Sequence, residues 1–271
     1  MIILDLWETL EQIFKDQREK IQDIEVRETE KIPSEIDLNL EIGRWYRIRN
    51  VVSLYVDMKG STQLSNDRYI KTSAKMYEIF TGSLIKILKK EEFKAHFIDI
   101  KGDGGFALWK EKYGSVKALL AAVTFKTYVE KYLKNFIGEL IDGWEIASKI
   151  GIAKGEVLVK RVGERNRGDK KYNWAVWAGK PVNYSAKLSD LAEADTVLVT
   201  EKVFEDFSYP KELEEYLIFS CECSGKTILW TGREDLNNKN FFEENVWELK
   251  SCWCERHGKK YLNKVLEIIN R

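Results

Sequence analysis

The chain has few of the features that would assign it quickly. Only 3 of its 271 residues are proline, and 44% are hydrophobic, a balance that excludes a disordered or proline-rich linker protein. Lys+Arg and Asp+Glu both total 44, so no net charge draws it to nucleic acid or to an acidic lipid surface. No apolar run reaches the roughly 18 residues that a membrane span needs. The opening "MIILDLWETLEQIF" carries acids within its apolar portion and no small-residue cleavage site, so it reads as a poor signal peptide. Cysteine is absent until residue 221. The expectation is a soluble cytoplasmic protein that inserts in no membrane and binds no nucleic acid.

What is present is strongly patterned. Residues 3 to about 30 space apolar positions among charges as an amphipathic helix does, with "KIPSEID" expected to end it. Residues 50 to 57 are β-branched and read as a strand, and 66 to 90 read as a helix with Asn66 as its cap. "AHFIDIKGDGGFALW" reads as two strands joined through Lys101 to Gly105. A second long helix is expected over 114 to 136. "EIASKIGIAKGEVLVKRVG" is expected to be a hairpin turning at Lys154 and Gly155. After the polar loop "GERNRGDKK" come a strand at 172 to 177 and a helix at 183 to 193. The order strand–helix–strand–strand–helix–strand predicts an α+β, ferredoxin-like βαββαβ core, a mainly antiparallel sheet with helices on one face. The expected division is an N-terminal helical segment over 1–45, a catalytic domain over 46–212 and a small C-terminal extension over 213–271.

In "VSLYVDMKGSTQLS" an aspartate, Asp57, stands at the mouth of a strand that reads as buried. An unpaired carboxylate there costs several kcal/mol or more, so it needs a cation or water. In a βαββαβ sheet the first and third strands are neighbours, which brings Asp57 to the same edge as Asp103 in the second–third turn. Two such carboxylates form a hard oxygen site suited to Mg²⁺ or Mn²⁺. Beyond Asp57 the chain turns through Gly60, Ser61 and Thr62 and offers backbone N–H groups to an anion. A metal pair beside an anion cradle suits a polyphosphate ligand.

"LYVDMKGSTQLS", "DIKGDGGFALW" and "GIAKGEVLV" with "WAVWAGKPVNYSAKL" resemble, in order and approximate spacing, the three signatures of class III nucleotidyl cyclases. The resemblance covers roughly residues 48 to 200. It implies a homodimer with two shared active sites and two Mg²⁺ or Mn²⁺ ions in each. One protomer supplies Asp57 and Asp103 as metal ligands, and the other supplies Asn183 to orient the ribose. Three positions depart from the purine cyclases. Asp99 stands where adenylate cyclases carry lysine and guanylate cyclases glutamate. Val176 falls at the partner base-reading position. Lys187 replaces the transition-state arginine, keeping the charge without the bidentate fork.

These departures, with Tyr55 two residues before Asp57 on the same strand face, point to one branch, and "VDMKGST", "AGKPVN" and "AKL" together resemble the Pycsar pyrimidine cyclases of bacterial antiphage defence. That branch implies UTP or CTP as substrate, with uracil favoured by a small margin. It also implies an effector that senses the cyclic nucleotide downstream. An adenylate or guanylate cyclase with an unusual pocket, or an inactive nucleotide-binding module of the same fold, remains the alternative. In the C-terminal extension "CECSGK" and "CWCERHG" supply Cys221, Cys223, Cys254 and His257, a donor set for a structural zinc, and leave Cys252 over.

Overall fold

The computed structural model describes residues 6–33, 38, 43–61, 70–140, 145–163, 173–237 and 242–271. Helix α1 (Leu6–Lys20) is followed by strand β1 (Glu25–Glu28) and the long strand β2 (Arg44–Lys59). Next come α2 (Ile70–Leu88), β3 (Phe97–Lys101), β4 (Gly104–Trp109) and α3 (Gly114–Tyr128). A π-helical turn at Val129–Leu133 carries α3 into α4 (Lys134–Leu140). Then follow β5 (Ala147–Gly163), β6 (Asn173–Ala178), α5 (Lys180–Leu191), β7 (Thr196–Thr200), α6 (Glu201–Glu205) and α7 (Glu214–Leu217). The chain closes with β8 (Trp230–Gly232), α8 (Glu234–Asn237), β9 (Val246–Leu249) and α9 (Gly258–Ile269). Among the described residues no helix is long and apolar enough to cross a membrane.

The chain forms two units. The smaller comprises residues 1–49 and 157–178; the larger comprises 50–156 and 179–271. In the larger unit the strand order β3-β4-β2-β5 is that of the expected βαββαβ core, with β4 antiparallel to both β3 and β2. It extends through β7, parallel to β5, and then through the antiparallel strands β9 and β8. The residues after 213 therefore add two strands to this sheet and belong to the larger unit. In the smaller unit β1 pairs in parallel with Arg44–Arg47 of β2, and β6 pairs antiparallel with β5.

Alternation along the strands separates two faces. Val52, Leu54, Val56 and Met58 of β2, Ile150 and Ile152 of β5, and Val197 and Val199 of β7 share the main core with α2 and α3. Leu198 instead packs with Ala153 and with Leu188 of α5 in a second cluster. Gly151 lets α5 sit directly on β5: a Cβ there would lie 2.2 Å from the Ser185 carbonyl oxygen. α5 thus covers the face opposite α2 and α3.

Three expectations on the elements need correction. The N-terminal helix stops at Lys20, and Glu25–Glu28 joins β2 as a strand, so Pro33 does not end the helix. Residues 114 to 136 are not one uniform α-helix, because the π-turn interrupts the segment at Val129. β5 runs unbroken through Lys154 and Gly155, where a hairpin turn was expected. Lys154 reaches sideways to Asp206, at 2.7 and 3.0 Å to its two oxygens. Gly155 accommodates Pro181, whose Cδ lies 3.2 Å from where a Cβ would be. A glycine that admits a neighbouring helix has the same local signature as a turn glycine. The expected cap Asn66 lies outside the described residues.

Candidate active site

The site grows from the register of three strands. Tyr55 of β2 pairs with Phe106 of β4, which in turn pairs with Asp99 of β3. The three side chains form a row on the face away from α2 and α3, since Leu54, Val56 and Ala107 point into the main core. Tyr55 and Phe106 lie parallel, with ring centroids 6.5 Å apart, and Phe97 tilts against Phe106 at 5.6 Å. Tyr55 is half-buried and does not belong to the main core.

Asp57 sits on the same face as Tyr55, two residues short of the β2 terminus rather than at its end. The β2–β4 register ends at Val56–Gly105, and the next residue of β4 is Gly104, which follows Asp103. Gly104 is required there: an added Cβ would meet the Val56 carbonyl oxygen at 2.3 Å and the Asp57 Cα at 3.2 Å. This close approach brings the Asp103 turn against Asp57. Burial pushes the Asp57 carboxyl above its ordinary range, and the Asp103 charge pushes in the same direction. The Lys149 charge and the Met58 backbone N–H oppose these effects without cancelling them. Among the described residues no lysine or arginine forms an ion pair with either aspartate. The half-buried oxygen donors that repel one another fit a hard divalent cation. Past Lys59, Gly60 turns the chain at φ +91°, a conformation suited to glycine, and Ser61 follows. Thr62 lies outside the described residues.

The other expected residues have separate settings. Asp99 holds an ion pair with Lys101 at 2.7 Å. Asn183 is exposed in the first turn of α5, and Lys187, one helical turn on, pairs with Asp190 at 2.8 Å. Val176 belongs to the smaller unit, in β6 opposite Lys160. Cys221, Cys223, Cys254 and His257 come together, with their ligand atoms all within 4.8 Å of one another.

Sequence reasoning did not single out four residues around the site. Lys149, beside Asp57, shares the Gly151 face of β5 and donates to the Asp190 carbonyl at 2.5 Å. Lys101 pairs with Asp99. Ser53 and Ser185 join β2 to α5 through a buried contact of 2.8 Å between their hydroxyl oxygens. Ser185 also donates to the Val182 carbonyl, so the Ser53 hydroxyl is the donor to Ser185. Period-two alternation puts Lys149 on the Gly151 face, but only the placement of β5 beside β2 brings it to Asp57.

The chain belongs to the adenylate and guanylate cyclase catalytic domain family, whose model matches residues 44–236. It is 33% identical over 235 residues to a uridylate cyclase of Micromonospora echinofusca, covering 85% of this chain and 73% of that protein. It is 32% identical over 227 residues to a uridylate cyclase of Propioniciclava tarda, covering 82% and 70%. Among solved structures, the fold is similar to the adenylyl cyclase CyaB from P. aeruginosa, with a TM-score of 0.57 at 14% identity. That match covers 76% of this chain and 95% of that one. The guanylate cyclase domain of RhGC from Catenaria anguillulae, in complex with GTP, matches with a TM-score of 0.57 at 12% identity, covering 76% and 98%.

Proposed function

We propose that the chain is a pyrimidine nucleotide cyclase of the cytoplasm. It converts UTP, in preference to CTP, to the 3′,5′-cyclic monophosphate and pyrophosphate, as a second messenger in antiphage defence. The observation that carries this reading is the shared face of Tyr55, Asp57 and Asp99, with Asp103 brought against Asp57 by Gly104. The two relatives named uridylate cyclase, each matched over most of this chain, support the same direction.

Asp57 and Asp103 hold two Mg²⁺ or Mn²⁺ ions, which when bound activate the ribose 3′-hydroxyl and neutralise the leaving pyrophosphate. The turn at Gly60 and Ser61 presents backbone N–H groups to the phosphates. Lys149 adds positive charge beside Asp57. Asn183, from the second protomer of a homodimer, orients the ribose. Lys187, released from Asp190, brings its charge to the phosphates. Tyr55, backed by Phe106, leaves room for one ring rather than two. Asp99 accepts a hydrogen bond from uracil N3–H, and Val176 of the second protomer closes the base pocket. A cyclic-nucleotide-sensing effector then acts on the product.

The deciding experiment offers the protein each of the four ribonucleoside triphosphates with Mn²⁺ and identifies the products by mass spectrometry. Cyclic UMP is the expected main product, with CTP slower by about tenfold or more because one buried polar edge is left unpaired. A cyclic purine product would overturn the pyrimidine assignment. Nucleotide binding without any cyclic product would favour an inactive module.

A further inference from the structure

The tail cluster lies apart from the carboxylate edge, and the cyclase reading does not use it. The Cys223 and Cys254 sulfurs are 3.7 Å apart, and Cys223 Sγ is 3.3 Å from His257 Nδ1. All four donor atoms of Cys221, Cys223, Cys254 and His257 fit within 4.8 Å of one another. Zinc with metal–sulfur bonds of about 2.3 Å holds tetrahedral sulfurs about 3.8 Å apart, so the spacing matches a shared ion. It does not match a disulfide, whose sulfurs bond at about 2.05 Å. Thiols are weak hydrogen-bond donors, so their mutual contacts alone give little reason for three of them to converge with an imidazole.

The fourth cysteine supports the choice of ligands. Cys252 Sγ donates to Glu130 at 2.9 Å and accepts from the buried Lys126 ammonium at 3.1 Å. Its sulfur is engaged on the α3 side, which leaves three thiols and one imidazole for the ion. The ligands come from two chain segments. Cys221 and Cys223 follow α7, while Cys254 and His257 lead into α9. The second segment is already fixed to α3: Trp253 donates through its indole to Thr124 at 2.9 Å and through its backbone to Thr127 at 3.0 Å. Among the described residues the first makes no hydrogen bond to α3; Phe219 and Leu229 pack against the main core beside an apolar cavity of about 180 Å³ that Leu119, Val123 and Trp253 also line.

We propose that Cys221, Cys223, Cys254 and His257 bind one zinc ion that clamps the 219–229 segment to the α3-anchored segment 250–257. The metal adds to the packing of Phe219 and Leu229 against the main core, and it takes no part in cyclisation.

The test uses the full chain, purified without chelator from zinc-containing medium, with metal measured by mass spectrometry and thiols counted after denaturation. About one zinc per chain is expected for a four-ligand site. His257→Cys and Cys252→Ser should retain it, whereas Cys223→Ser and His257→Ala should lose it severalfold. Cobalt(II) in place of zinc should give the visible absorption of a tetrahedral thiolate site. Stripping the metal should expose the 219–229 segment to protease while residues 97–140 stay resistant. A metal-free protein that takes up neither zinc nor cobalt would overturn the site, as would a Cys223–Cys254 disulfide in the isolated chain. An unchanged digestion pattern after stripping would overturn the clamp. All these readouts are metal content and protection, so they stand or fall apart from the cyclase reading.

Discussion

The molecule gathers metal donors in two places by opposite means. At the carboxylate edge, Asp57 and Asp103 are far apart in sequence and meet because β2 and β4 are locked in register, with Gly104 allowing the contact. In the tail, the donors lie on short irregular segments, Cys223 is exposed, and no sheet register sets their spacing. The first arrangement is set by strand register, and its side-chain donors are hard oxygens. The second is softer, three thiols and an imidazole, and under the proposed clamp it would take part of its order from the ion. Preorganised donors suit chemistry, because the geometry is set before the substrate enters. Donors that need the metal to order them suit a structural role.

The largest expected difference is in turnover. Asp57→Ala or Asp103→Ala should lower cyclic product formation by roughly a hundredfold to a thousandfold or more, as losses of charge-stabilising groups do. His257→Ala should leave turnover per folded molecule near that of the parent chain. Product mass spectrometry on fresh protein measures both. Comparable losses in the two variants would erase the distinction between the sites.

A second test asks whether the edge is complete within one chain. Asp57→Ala and Asn183→Ala protein are each expected to be inactive. Mixed in equal amounts with free subunit exchange, they should recover roughly a quarter of the parent activity, because half of the dimers carry one intact site of two. A mixture as inactive as its components, with exchange demonstrated by differential labelling, would place the whole site within one protomer.

Base choice is expected to move less. Tyr55→Ala removes the ring stacked on Phe106, and it should admit ATP or GTP while lowering UTP turnover about tenfold, a typical range for reshaping an apolar pocket wall. Competition between all four triphosphates reads the change directly. An unaltered product distribution would make Tyr55 a packing residue only.

The contrast between the sites also governs what the sequence discloses. The βαββαβ order and the meeting of Asp57 with Asp103 were legible because strand alternation and the glycine turn at 101–105 act locally. The four tail donors were legible as a set from their types and spacing alone. Lys149 was not, because its nearness to Asp57 depends on β5 lying beside β2, which is a tertiary fact. The extension of the sheet by β8 and β9 was equally hidden. Strands of three and four residues give too little periodicity, and their pairing with β7 is a tertiary fact. The Lys101 partner of Asp99 lies one strand period away, but an ion pair on a strand leaves no compositional mark.

The smallest effect is on stability, and it separates the two sites by pH. The Asp57 carboxyl is raised from 3.8, first by burial and then by Asp103, so the folded metal-free chain holds this proton more tightly than the unfolded chain does. The resulting cost is absent at low pH. It grows as pH rises from the unfolded value through the raised one, and it is full at neutral pH. Asp57→Asn removes the charge and should raise the thermal midpoint of metal-free protein by a few degrees at neutral pH, with little change near pH 4. Mg²⁺ or Mn²⁺ should raise the parent chain's midpoint at neutral pH and act less on Asp57→Asn, because the cation offsets the same repulsion. At the tail the metal is expected to carry order rather than relieve repulsion, so stripping zinc should lower the midpoint at neutral pH in both proteins alike. Thermal scans of the two proteins at two pH values, with and without each metal, read all of these shifts. If Asp57→Asn were no more stable than its parent at neutral pH, the carboxylates would already be neutralised within the chain, and the edge would have no need of a cation.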